Sequence, residues 1–180
     1  MSFWSNLKAE PLRQHRWYVT FNGNNPFLNN MRYAVKKVSK PSAKVGSIQH
    51  KYLNHFFNFP GRLEWNDVTM TFAAIIASQE SNGATASQLI DAINNLSGYQ
   101  LPKKQEDRET IGKLKADGAI GRVDIIQVDP DGETVETWSL YRPFFTEIKY
   151  GDLDYSNEEI VEISCTIKYD WASLNGNRTP

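Results

Sequence analysis

Between positions 160 and 171 the chain alternates without a break. Val161, Ile163, Cys165, Ile167, Tyr169 and Trp171 occupy one phase, and Glu162, Ser164, Thr166, Lys168 and Asp170 the other. A period of two marks a strand with one dry and one wet face. Positions 68–76 repeat it, with Val68, Met70, Phe72, Ala74 and Ile76 set against Thr69, Thr71 and Ala73. Just upstream, Leu63 and Trp65 carry the apolar phase on odd numbers, so the pattern predicts a β-bulge near Asn66-Asp67. Less regular runs at 17–21, 32–39, 120–128 and 134–141 bring the expected total to about seven strands, the last two joined by the turn Asp129-Pro130-Asp131-Gly132. Residues 143–150 read as a connection.

One amphipathic helix is expected over 84–97. Thr85 and Gln88 suit a capping box, Leu89, Ile93 and Leu96 share a face with Ala86 and Ile90 beside it, and Gly98 ends the run. A short second helix is expected to reach Leu114, weakened by Gly112. The charged run 103–109 reads as a solvated face.

The segment 45–76 is expected to be a long hairpin with its turn at Pro60-Gly61, because proline presets φ and glycine accepts a positive one. Its outgoing arm then carries Leu53, Phe57 and Phe59 on one face and Tyr52 and Phe56 on the other. A subunit's own core covers only one face. The arm therefore packs on another copy, with contiguous aromatic surface marking an interface, or it forms a second buried layer within the same chain. Residues 1–14 read as an arm whose Phe3 and Trp4 would also seek a partner surface.

Composition narrows the function classes. The 180 residues, 40% of them hydrophobic, make one domain large enough to fold without metal or disulfide. Twenty basic against twenty-one acidic residues give a net charge of −1, without the excess of a dedicated nucleic-acid binder. The single cysteine, Cys165, sits in the apolar phase of its strand and reads as a buried, inert thiol. No phosphate-binding, nucleophile-elbow or zinc motif occurs. His50 and His55, five apart, are expected on opposite strand faces and so not to share a metal. Neither a signal peptide nor a membrane anchor is expected. No catalytic residue, cofactor or metal site is proposed, so the chain reads as a non-enzyme.

Two groups of residues carry a resemblance. Tyr52-Leu53-Asn54-His55, Phe59-Pro60-Gly61-Arg62-Leu63-Glu64-Trp65 and Val68-Thr69-Met70-Thr71-Phe72 form the first. Tyr150-Gly151-Asp152-Leu153-Asp154-Tyr155 and the run from Val161 to Ala172, ending Ile167-Lys168-Tyr169-Asp170-Trp171-Ala172, form the second. In order and spacing they resemble the tail tube proteins of contractile-tailed bacteriophages, from the first strand to Ala172. Tube proteins of type VI secretion systems and phage-like bacteriocins are similar in fold.

The resemblance implies a mainly β subunit, 1–180, of two packed antiparallel sheets forming a β-sandwich or barrel with one flanking α-helix. Its C-terminal strands span 119–172. Six copies would form a ring whose strands join between subunits, and rings would stack into a self-assembling tube inside a contractile sheath. The expected place is the virion tail, assembled in the host cytoplasm. The expected partners are the sheath protein, the tape-measure protein and baseplate or tube-initiator proteins, with DNA passing through during ejection. Interface candidates are Phe3, Trp4, Tyr52, Leu53, Phe56, Phe57 and Phe59. Lumen-facing candidates are Glu162, Ser164, Thr166, Lys168 and Asp170, a face weakly repulsive to phosphate on its own charges. The alternatives are a tube protein of a related injection system and a monomeric β-barrel holding a small apolar ligand between Trp17, Phe72 and Trp138.

Overall fold

A computed structural model describes residues 11–24, 28, 34–75, 85–91, 97–99, 110–156 and 158–175. Ten strands occur among them: β1 (Trp17–Asn22), β2 (Val35–Val38), β3 (Ala43–Tyr52), β4 (His55–Trp65), β5 (Val68–Ala73), β6 (Arg122–Val128), β7 (Thr134–Tyr141), β8 (Phe144–Lys149), β9 (Glu162–Lys168) and β10 (Trp171–Leu174). Two helices accompany them, α1 (Thr85–Asp91) and α2 (Lys113–Ile120).

The strands form two four-stranded antiparallel sheets and a separate two-stranded ribbon. The first sheet runs β1-β6-β7-β10, the second β2-β5-β9-β8, and β3-β4 is the ribbon. The alternating apolar phases meet between the two sheets, as the sequence predicts for a sandwich. Val19, Phe21, Val123, Ile125 and Leu140 of the first sheet pack on Val68, Met70, Phe72, Ile163, Cys165 and Ile167 of the second. Phe21 stacks on Phe72 at 6.3 Å. Leu28, Leu89 of α1 and Ala119 and Ile120 of α2 close the core. Capping by Thr85 and Gln88, and the positions of Ile93 and Leu96, lie outside the described residues.

Several local expectations give way. Residues 143–150 are not a mere connection but contain strand β8, whose alternation is broken by a register shift between Phe145 and Glu147. The second helix begins where it was expected to finish, because Gly112 is the extended residue in front of it rather than a breaker inside it. The run 160–171 is two elements. Strand β9 ends at Lys168, and the chain then crosses to the first sheet, where Trp171 begins β10 opposite Tyr141. Asn66-Asp67 is not a bulge: the phase changes there because β4 leaves the ribbon and β5 enters the second sheet.

Candidate assembly surface

The ribbon turns at Leu53-Asn54, with Tyr52 opposite His55, and not at Pro60-Gly61. Pro60 and Gly61 lie inside β4. There the register jumps so that Gly61 and Arg62 together face Gly46, a bulge. A Cβ on Gly61 would sit 3.1 Å from the Gly46 backbone, so glycine serves the close approach of two chains. Proline is tolerated because both strands of a two-stranded ribbon are edges.

At about 3.3 Å per residue the ten-residue β3 makes an arm roughly 30 Å long. It continues β2 and β5 outward. Ser39 N–H donates to Thr69 C=O at 2.9 Å and Asn66 N–H to Ser42 C=O at 2.8 Å, stitching the junction. Trp65 packs on Tyr169 at 6.0 Å and ties the base of the arm to the sandwich. Beyond that base every residue of β3 is exposed. The arm is not a second buried layer of its own subunit.

The true turn redistributes the side chains. Beyond the bulge, Ile48 with Phe59, His50 with Phe57 and Tyr52 with His55 share one face, while Ser47 with Pro60, Gln49 with Asn58 and Lys51 with Phe56 share the other. The expectation of two apolar faces is corrected. One face is aromatic, and the other is polar apart from Pro60 at the bulge and Phe56, which lies under the Lys51 ammonium at 5.5 Å. Nearer the body the apolar pair Val45–Leu63 lies on the polar-tip side, so apolar surface changes sides at the bulge. Ile48, Phe57 and Phe59 are 66%, 47% and 55% exposed, a continuous uncovered patch. His50 and His55 fall on the same face, correcting the opposite-face expectation, because the turn lies between them. No three metal-ligating side chains gather among the described residues. Phe3 and Trp4 lie outside the described residues.

Leu53 adopts φ +52° at the first turn position and is 88% exposed. A left-handed leucine costs about 1–2 kcal/mol. Leu53→Gly is expected to relieve that strain and slow amide exchange across 48–59 in the isolated subunit. The same change removes the apolar tip, so self-association should weaken; hydrogen exchange and sedimentation together check both parts.

A second protrusion escaped the sequence analysis. The β8–β9 connection leaves the second sheet at the end opposite the arm, since Glu162 pairs with Ala73 while Ile167 pairs with Val68, next to the ribbon. It exposes Leu153 at 87% and Ile160 at 63%, with Tyr155 fully projecting. The signal was present as apolar residues scattered among acids, without the period of a strand or helix.

The predicted wet face is found on β9. Glu162, Ser164 and Lys168 are exposed and Thr166 half-buried, with Thr69 and Thr71 beside them on β5. Asp170 does not belong to it. It lies past the strand, with Lys113 of α2 at 2.7 Å and Arg142 at 3.9 Å. The charge expectation also changes once neighbouring strands are included. Lys36 bonds Glu162 at 2.5 Å, and across the sheet four lysines, Lys36, Lys37, Lys149 and Lys168, stand against Glu147 and Glu162. The face is basic, not weakly acidic.

Burial pushes the Cys165 thiol up to about 12, so it is not a thiolate at neutral pH. Asp129 spends its carboxylate on the amides of Asp131 and Glu133, at 2.9 and 2.8 Å, as a turn brace rather than a calcium ligand. For the ligand-binding alternative, Phe72 is fully buried in the core against Phe21. Trp17 and Trp138 do line a cleft of about 620 Å³ at the open end of the sandwich, crossed by Lys40, which bonds Gln127 and Glu136 at 2.8 Å. Lys40 holds the Glu136 carboxyl below its ordinary range.

Two packed antiparallel sheets with a long projecting ribbon are a fold this chain shares with chains of contractile injection assemblies. A chain of the six-fold symmetrised anti-feeding prophage baseplate superposes with a TM-score of 0.65 at 16% identity, covering 95% of this chain and 99% of that one. A chain of the sheath–tube complex of an extracellular contractile injection system, PVC, in the extended state, gives 0.64 at 17% identity, covering 97% and 98%. A chain of the anti-feeding prophage tube-terminating cap gives 0.63 at 16%, covering 93% and 92%. No protein-family model and no curated protein matches the sequence.

Proposed function

We propose that this protein is a structural, non-enzymatic tube subunit of a contractile machine, assembling as hexameric rings stacked into a hollow conduit inside a sheath. The observation that carries the reading is the β3–β4 arm, whose aromatic face is left uncovered by its own subunit. An isolated two-stranded ribbon is marginal in water and gains its stability from a partner surface. The edges β2 and β8 of the second sheet supply a second reason to assemble, because pairing β8 of one copy with β2 of the next closes a ring and removes both. The six-fold assembly from which one structural neighbour comes supports that symmetry.

The outer face of the second sheet is the proposed channel wall. Its two central strands present Thr69, Thr71, Glu162, Ser164, Thr166 and Lys168, with no large apolar side chain. The first sheet instead turns Tyr18, Ile126, Tyr141 and Trp171 outward. Two observations favour an injection-system tube over a phage DNA conduit. The similar folds come from injection systems, and a basic wall repeated around a ring would retain a phosphate backbone in a salt-dependent way.

Electron microscopy of the purified protein tests the proposal. Rings or hollow tubes at micromolar concentration are expected; a compact monomer at every concentration in sedimentation would sink it.

A further inference from the structure

The arm and the β8–β9 loop stand at opposite ends of the second sheet, and each lacks what the other offers. Outward of the base pair Lys44–Glu64, from 45 to 63, the arm contains His50, Lys51, His55 and Arg62 and no acidic residue. The loop, from 150 to 161, contains Asp152, Asp154, Glu158 and Glu159 and no basic one. Both also expose apolar side chains, Tyr52 and Leu53 on the arm and Leu153, Tyr155 and Ile160 on the loop.

The loop is shaped before anything binds it. Asp154 accepts hydrogen bonds from the Ser156 amide at 2.9 Å and hydroxyl at 2.8 Å, fixing the tip. These bonds hold its carboxyl below the ordinary range. At the loop's start Gly151 has φ +83°, and a Cβ there would lie 2.6 Å from the Glu162 carbonyl oxygen, so the backbone folds back against β9. Between the two limbs lies an open cleft of about 890 Å³, lined by Leu153, Asp154, Tyr155, Ile160 and Glu162 among others. That is room for several side chains.

We propose that the tip of the β3–β4 arm of one copy docks into the acidic cleft of the β8–β9 loop of another copy, joining subunits head to tail. The inference rests on the arm being an assembly device, and adds the surface that receives it. The contact is heterologous, since donor and acceptor surfaces differ, so each docked copy presents a fresh arm and a fresh cleft. Opposite charge fixes which end meets which, and like charges oppose arm-to-arm pairing.

The test uses full-length Leu53→Cys and Leu153→Cys proteins and a short bismaleimide; Cys165 is 1% exposed and stays unreactive. An equimolar mixture is expected to give a cross-linked pair, and each variant alone to give none. Cross-linking of Leu53→Cys with itself at the mixture's yield would overturn the docking in favour of arm-to-arm contact. Wild-type tubes under the microscope with no product in the mixture would overturn it while leaving the tube reading standing. A pair formed without tubes supports the docking and removes the tube. Independently, Lys51→Glu should raise the concentration needed for assembly about tenfold, as one like-charge contact does. Asp152→Lys in the same chain should recover it, and failure to recover would exclude the charge match.

Discussion

Phe57→Asp is expected to abolish assembly and leave the subunit folded. Phe57 sits mid-face on the arm, half-exposed, with the edge of His55 at 4.8 Å as its ring partner. No core residue leans on it, so the β-rich circular dichroism and the thermal midpoint of the isolated subunit should be unchanged. In an assembled contact the aspartate would be a charge buried without a partner, costing about 3–5 kcal/mol at every repeat. Sedimentation and electron microscopy should show monomer only. A variant that still forms polymer would mean the aromatic face is not an interface; one that unfolds would mean the arm supports its own core.

A large loss of stability is expected from Gly121→Ala. Gly121 joins α2 to β6 at φ +65°, and a Cβ there would stand 2.3 Å from the backbone carbon and oxygen of Asn22 and the nitrogen of Gly23. Gly23 reciprocates, its own Cβ position lying 2.4 Å from the Ile120 carbonyl. Both obstacles are main chain, held by the β1–β6 ladder and by the Asn24 amide bonding Gly118 at 2.9 Å. Neither can rotate away. Accommodation requires parting the end of β1 from the α2–β6 corner, a change expected to exceed about 4 kcal/mol, in the exceptional range for one substitution. Denaturant unfolding measures it. Gly132→Ala is the control, with φ +85° but open space around it, and should cost only about 1–2 kcal/mol.

Strand β9 was readable because one of its faces meets a core and the other meets water, and a period of two records that difference directly. The proline-glycine pair misled because the same dipeptide suits a tight turn and a bulge, and only cross-strand register separates them. The real turn, Leu53-Asn54, puts a leucine where glycine or asparagine is favoured, so local propensity argues against it. Strand β8 was hidden by its own bulge. Helix α2 was hidden by the small residues on its buried side, Ala116 and Ala119, which leave only Ile120 as a large apolar marker. The charge of the wet face was misjudged for another reason. Lys36, Lys37 and Lys149 reach it from strands far apart in sequence, and no single run of residues shows their sum.

The stitched junction of β2–β3 with β4–β5 has a mechanical consequence. Tension applied to the arm along its length enters the second sheet parallel to its strands. In an antiparallel ladder the hydrogen bonds lie across that direction, so the load is shared by many of them at once, in shear, instead of opening them one after another. A subunit pulled by its arm resists like a riveted lap joint, and is expected to yield first at the junction held by the Ser39–Thr69 and Asn66–Ser42 bonds.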